Sequence, residues 1–224
     1  MLPINGKPLL EYIIRGLKLA GIKEFVLVIG YKKEQVVKYF GDGTKFEIDI
    51  EYVEQEKLNG TGGALLICEP LIKEDHFLLT WGDTLISYGV YKSLLNVFKK
   101  EKNDFILVAN PVKDPYLGAA IYLQGDYCID IIEKPPKDTS KSRYNNSGIF
   151  ILHAKIFDLL KKQQESPRGE IELTDALRMG IRKLNWKIRV IKMQEGDFYG
   201  DFGNKEDYER LKSDLLWLNS LNER

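Results

Sequence analysis

The sequence predicts an α/β protein: a Rossmann-like mixed sheet flanked by helices, with the first strand of that arrangement not in evidence. Three observations predict it. Apolar runs alternate with amphipathic helical stretches through the first 110 residues, the order of a sheet wound by crossover helices. One run, Glu24-Phe-Val-Leu-Val-Ile-Gly30, is continuous and closed by glycine, as a strand buried on both faces is. The chain also opens on Met1-Leu-Pro-Ile-Asn-Gly-Lys-Pro-Leu-Leu, a loop running into a helix. This fold class usually has a strand and a phosphate-binding glycine loop ahead of such a helix.

The elements follow in order. Residues 7–20 carry apolar side chains at helical spacing, and Gly21 stops that helix. After the Glu24–Gly30 strand comes a short amphipathic helix at 33–40, then a turn at Gly41-Asp-Gly-Thr. Phe46 to Val53 alternates apolar and charged residues, the mark of a half-exposed strand. Asn59-Gly-Thr-Gly-Gly63 leads into a helix of small residues, and His76-Phe-Leu-Leu-Thr-Trp81 is a buried strand ending on Gly82-Asp83. A helix at 87–101 and a strand at 104–110 complete the first half. Past Pro111 the runs at 118–123, 127–132 and 147–152 are strands joined by turns, the first two a hairpin around Gln124-Gly-Asp126. Helices at 154–163 and 171–183, a strand at 187–193 and a helix at 204–219 capped by Asn204 end the chain. The pattern reads as a single domain over 1–224, changing character between a half at 1–110 and a half at 111–224.

Composition narrows the function. The 224 residues are 44% hydrophobic and 29% charged, with 33 basic and 33 acidic residues. Zero net charge argues against a general nucleic-acid binder, which usually carries a basic excess. Cys68 and Cys128 have no metal or redox spacing and fit a reducing, cytoplasmic compartment. No apolar run reaches the roughly 18 residues of a membrane span, so no membrane partner is expected.

Several polar residues stand where strands end. Asp83 follows a buried strand, the place where open parallel sheets bind ligands. A carboxylate there suits Mg²⁺, and it suits a turn cap equally well. Asp201, inside Asp197-Phe-Tyr-Gly-Asp-Phe-Gly203, reads alone as an acid in a solvated turn. Gly60-Thr-Gly-Gly63 can present backbone amides to a phosphate or can be a plain turn. Glu133-Lys134 end a strand with an acid and a base, a charge for a bound anion or a plain surface ion pair, and Arg168 can clamp a phosphate or be a solvated loop arginine.

As a set these segments resemble the sugar-1-phosphate nucleotidylyltransferases, over nearly the whole chain. The family's LLPI-x-x-KP segment is similar to Met1-Leu-Pro-Ile with Lys7-Pro8. Its base-side glycine loop resembles Gly60-Thr61-Gly62-Gly63, its GD metal motif Gly82-Asp83, and its EKP Glu133-Lys134-Pro135. Its GE-[IL]-x-[IL]-TD segment matches Gly169 to Asp175, and its W-x-D-x-G looks like Tyr199 to Gly203, with tyrosine in place of tryptophan. The family's opening strand and its G-x-G-T-R loop have no counterpart. The expectation is a chain of impaired activity whose run at Phe25–Ile29 lacks a neighbour, leaving the molecule marginal in stability or driven to a homo-oligomer.

The resemblance implies a nucleotide-binding half at 1–110, a sugar-phosphate-binding half at 111–224, and transfer of a nucleotidyl group from a nucleoside triphosphate to a sugar 1-phosphate, releasing pyrophosphate. Asp83 and Asp201 would hold Mg²⁺, and Lys134 and Arg168 would bind the sugar phosphate. Glu133, Gly118, Asn146, Ser147 and Gly148 would line the sugar pocket, and Gln55 with Gly60, Thr61 and Gly62 would face the base. A glutamine amide matches the O4/N3–H edge of thymine or uracil, so dTTP or UTP with glucose 1-phosphate is the favoured pair. Guanylyl transfer to mannose 1-phosphate or a heptose phosphate is the alternative, and a non-catalytic sugar-nucleotide-binding or regulatory homologue is the second.

Overall fold

A computed structural model describes residues 1, 3–213 and 215–221; Leu2, part of the opening motif, lies outside them. Strands β1 (Pro3–Ile4) and β2 (Lys7–Pro8) form a small ribbon ahead of helix α1 (Leu9–Leu19). Strand β3 (Glu24–Ile29), helix α2 (Lys33–Phe40) and strand β4 (Asp49–Glu54) follow, with β3 and β4 paired in parallel. Helix α3 (Gly60–Leu66) leads to β5 (His76–Thr80), β6 (Thr84–Ile86) and helix α4 (Tyr88–Glu101). The second half holds β7 (Phe105–Pro111), β8 (Ala119–Gln124), β9 (Tyr127–Glu133) and β10 (Tyr144–His153). It closes with α5 (Ile156–Leu160), α6 (Leu173–Leu184), β11 (Ile188–Lys192), β12 (Tyr199–Asp201), α7 (Lys205–Ser213) and α8 (Trp217–Ser220).

The main sheet runs β5-β10-β7-β11-β9-β8. Strand β10 is antiparallel to both β5 and β7, β11 is parallel to β7, and β8 and β9 form the expected hairpin. Alternation along β7 divides the core. Ile106 and Val108 join a cluster with α1 and α4, while Phe105, Leu107 and Ala109 join one with α5 and α6. A third, smaller core of Ile14, Phe40, Ile48 and Ile50 holds β3 and β4 to the helices beside them.

The sheet is split. β3 pairs only with β4, and β5 pairs only with β10, among the described residues. All six residues of β3 and all five of β5 line one cavity of about 1800 Å³. The two apolar runs predicted to be buried are therefore only partly so. Every residue of β5 is half-buried, and Val28 of β3 is 37% exposed. The cause is an unpaired strand edge that leaves one flank of each run open.

Three further departures concern the C-terminal half. β10 starts at Tyr144, three residues ahead of the predicted strand, and its register with β7 shifts between Asn146 and Phe150. The helix predicted over 154–163 spans only Ile156–Leu160, and the final helix is two, α7 and α8. The predicted cap holds: Asp207 donates its amide to Asn204 Oδ1 at 2.9 Å.

Candidate active site

Two carboxylates from distant parts of the chain meet beyond the end of β5. The short strands β6 and β12 pair antiparallel, with Asp201 opposite Thr84, and the Phe202 amide donates to the Asp83 carbonyl at 2.8 Å. This ladder sets Asp83 and Asp201 on either side of Gly203. A Cβ placed on Gly203 would lie 3.0 Å from Asp201 Oδ1 and 3.1 Å from Asp83 Oδ2. Glycine keeps that space clear.

The electrostatics of the pair point to a cation. Neither acid has an ion pair with lysine or arginine among the described residues. Burial pushes the Asp83 carboxyl above its usual range, and the Asp201 charge adds to the rise. Tyr199, on β12, has its phenol pushed up by burial and then by the same two acids. Asp201 Oδ1 accepts the Gly203 amide at 2.8 Å, and two hard-oxygen donors beside one glycine, without a compensating protein cation among the described residues, fit Mg²⁺.

The same cavity contains Lys134, Glu133, Gly118, Gln55, Thr61, Asn146 and Arg168, so most of the predicted site residues are brought together. Lys134 follows β9 in the left-handed region at φ 40, is exposed, and has no ion pair among the described residues. Glu133 accepts a 2.9 Å hydrogen bond from Thr174 Oγ1, and burial raises its pKa. Arg168 is arranged differently from a free anion clamp. Its guanidinium faces Glu172, Glu170 at 3.6 Å and Glu133 at 3.7 Å. Three carboxylates around one arginine leave that corner negative, so Arg168 organises acids rather than presenting bare positive charge.

Four predicted residues do not line the cavity: Gly60, Gly62, Ser147 and Gly148. The Gly62 amide is spent on the Ile171 carbonyl at 2.8 Å, and the Ile171 amide returns to the Asn59 carbonyl at 2.7 Å. The glycine loop is thus a packing joint with the segment ahead of α6, and Thr61 is its member exposed to the cleft. Ser147 is fully buried and donates to the Val108 carbonyl at 2.8 Å, since its neighbour Asn146 takes the cleft face. Gly148 lies in the irregular part of β10 at φ 76, and a Cβ there would strike the Trp81 ring at 2.2 Å.

The sequence reading missed Asn110. It is buried at the end of β7, lines the cavity, and its Oδ1 has no partner among the described residues. The Asn146 Nδ2 is buried and unpartnered in the same way. A buried amide oxygen and a buried amide nitrogen, both uncompensated beside one cleft, suit a ligand rich in hydroxyl groups. Asn110 sits inside an apolar strand run, where no motif marks it; its burial and missing partner are the signal.

Comparison with known proteins agrees with this architecture. The profile of the nucleotidyl transferase family matches residues 1–216. The bifunctional protein GlmU of Methanococcus maripaludis strain C7 is 35% identical over 222 residues, covering 99% of this chain and 49% of the relative. The chain thus spans about half the length of the curated relatives it matches first. A Methanocaldococcus jannaschii protein assigned as a UTP–glucose-1-phosphate uridylyltransferase is 27% identical, covering 89% of this chain and 81% of that one. Among solved structures, a Bacillus anthracis protein assigned as a glucose-1-phosphate thymidylyltransferase, in complex with a sucrose, superposes with a TM-score of 0.80 at 26% identity, covering 95% and 84% of the two chains. The cleft at the ends of the strands, its facing acids and the match along nearly the whole sequence place the chain in the nucleotidyl transferase family.

Proposed function

We propose that this chain carries a sugar-1-phosphate nucleotidylyltransferase centre, using UTP or dTTP and glucose 1-phosphate. The observation that carries the reading is the Asp83–Asp201 pair, converging on Gly203 without a protein counter-charge among the described residues. The relatives assigned as uridylyl- and thymidylyltransferases support the choice of nucleotide and sugar.

The reaction joins a phosphate oxygen of the sugar 1-phosphate to the α-phosphorus of the nucleotide as the bond to pyrophosphate breaks. The nucleophile is already an anion, so no side chain has to remove a proton. Positioning and neutralisation of charge are the tasks left to the protein. Asp83 and Asp201 would hold Mg²⁺, which when bound lowers the repulsion between the two phosphates. Lys134 supplies the exposed cation for the sugar phosphate. Asn110 and Asn146 offer an acceptor and a donor to sugar hydroxyls, and Thr174 fixes Glu133 beside them. Gln55 spends its Nε2 on Asn59 Oδ1 at 3.2 Å and the Gly60 carbonyl at 3.3 Å, leaving its Oε1 to accept from N3–H of uracil or thymine.

The test is pyrophosphate release with each pairing of UTP, dTTP or GTP with glucose 1-phosphate or mannose 1-phosphate, with and without Mg²⁺. Turnover that requires Mg²⁺ and prefers a pyrimidine nucleotide is expected. A preference for GTP and mannose 1-phosphate would transfer the assignment to the guanylyl branch.

A further inference from the structure

We propose that His76, Asp104 and His153 form a binding site for a first-row transition-metal ion such as Zn²⁺, separate from the acidic pair. His76 opens β5 and Asp83 lies beyond its far end, so the two sites flank one strand. His76 and His153 are direct cross-strand partners of β5 and β10, with ring centroids 4.8 Å apart. Asp104, just ahead of β7, brings its Oδ1 to 3.6 Å from His76 Nε2. One donor atom from each of the three lies within 4.8 Å of the others.

Three details favour a metal over a plain polar cluster. His76 Nε2 is buried and makes no hydrogen bond among the described residues, yet it points toward a carboxylate. Lys155 neutralises Asp104 through Oδ2 and leaves Oδ1 for the site. Two imidazoles and one carboxylate are the donor set that suits Zn²⁺ and its neighbours, and unlike an all-oxygen set it is not one for Mg²⁺. Two donors about 2.1 Å from a tetrahedral ion stand about 3.4 Å apart, so a pair at the 4.8 Å limit must close by about 1.4 Å, within reach of imidazole rotation. His153 Nδ1 accepts the Lys155 amide at 3.0 Å. Ligation by Nε2 requires the proton to move to Nδ1 and that bond to be given up, which makes His153 the weakest of the three ligands. His76 also lines the large cavity, which provides an entry path.

The experiment is calorimetric titration of the whole chain with Zn²⁺ in excess Mg²⁺, which keeps the acidic pair occupied. One saturating equivalent is expected, weakened at least about tenfold in His76→Gln. Lys155→Ala should bind Zn²⁺ more tightly, because it removes a competing cation from Asp104 without removing a ligand; a purely structural cluster would not give that sign. Co²⁺ should show tetrahedral ligand-field bands that His76→Gln abolishes. Absence of saturable binding, or equal binding by wild type and a folded His76→Gln, would overturn the site.

Discussion

Replacing Asp83 with asparagine removes a charge from a place where the fold resists it. Burial and Asp201 both raise the Asp83 pKa above the ordinary 3.8. The native chain therefore holds that proton more tightly than the unfolded chain does. Stability falls as pH rises from the unfolded pKa through the folded one, and the penalty is fully present above both. Without metal at neutral pH, Asp83→Asn should accordingly melt higher than wild type, with the difference vanishing in acid. Added Mg²⁺ should raise the wild-type Tm and leave the variant unmoved, as scanning fluorimetry would record. Its rate should fall by on the order of 10² or more, since a bound metal supplies several kcal/mol at the transition state. Lys134→Ala should weaken binding of glucose 1-phosphate by about 1.5–3 kcal/mol, the range of a charge-assisted hydrogen bond, and affect nucleotide less; equal losses by calorimetry would remove Lys134 from the sugar-phosphate side. Asp83 and Lys134 stood out in the sequence because they follow apolar strands inside recognisable motifs. The contact of Arg168 with Glu133 did not, because Glu133 stands 35 positions before it in sequence (168 − 133) and meets it only in space.

At the scale of elements, long periodic segments were readable. β3, α2, α4 and the β8–β9 hairpin lie within a residue or so of their predicted bounds. β6 and β12 were not, because three residues carry no usable period. Those two strands join Asp83 and Asp201, the acids proposed to hold Mg²⁺, and the pairing that brings the two together carries no sequence signal of its own. Asn146 and Ser147 fall on opposite sides of β10 by simple alternation, so of the two only Asn146 meets the cleft. Helix α7 begins four residues after Asp201, and its start depends on the Asn204 cap. Asn204→Ala should cost about 1 kcal/mol, a drop of about 2–4 °C in Tm for a chain of this size. Pyrophosphate release, measured well below that Tm, should fall far less than in Asp83→Asn.

Across the whole molecule the split sheet governs behaviour. Among the described residues β3 and β5 each present an unpaired edge to the same cavity, and such edges pair readily with other chains. The protein should associate as its concentration rises, which light scattering across a dilution series would detect. Val28→Lys places a charge on the open strand at a position already 37% exposed. It should suppress association while shifting Tm by no more than a surface substitution does, within about 0.5 kcal/mol. Association unchanged by this substitution would mean that another surface joins the copies.

The β6–β12 ladder has a temporal consequence as well. Asp83 and Asp201 are 118 positions apart (201 − 83). Closing a loop of that length is among the slower acts of folding. During synthesis Asp201 leaves the ribosome after the whole main sheet has emerged, because β11 ends at Lys192. The acidic pair is therefore brought together late, on a scaffold already in place. Pulsed hydrogen exchange during refolding should protect the amides of β7 and β10 first and the Phe202 amide late, with Mg²⁺ hastening only the late phase.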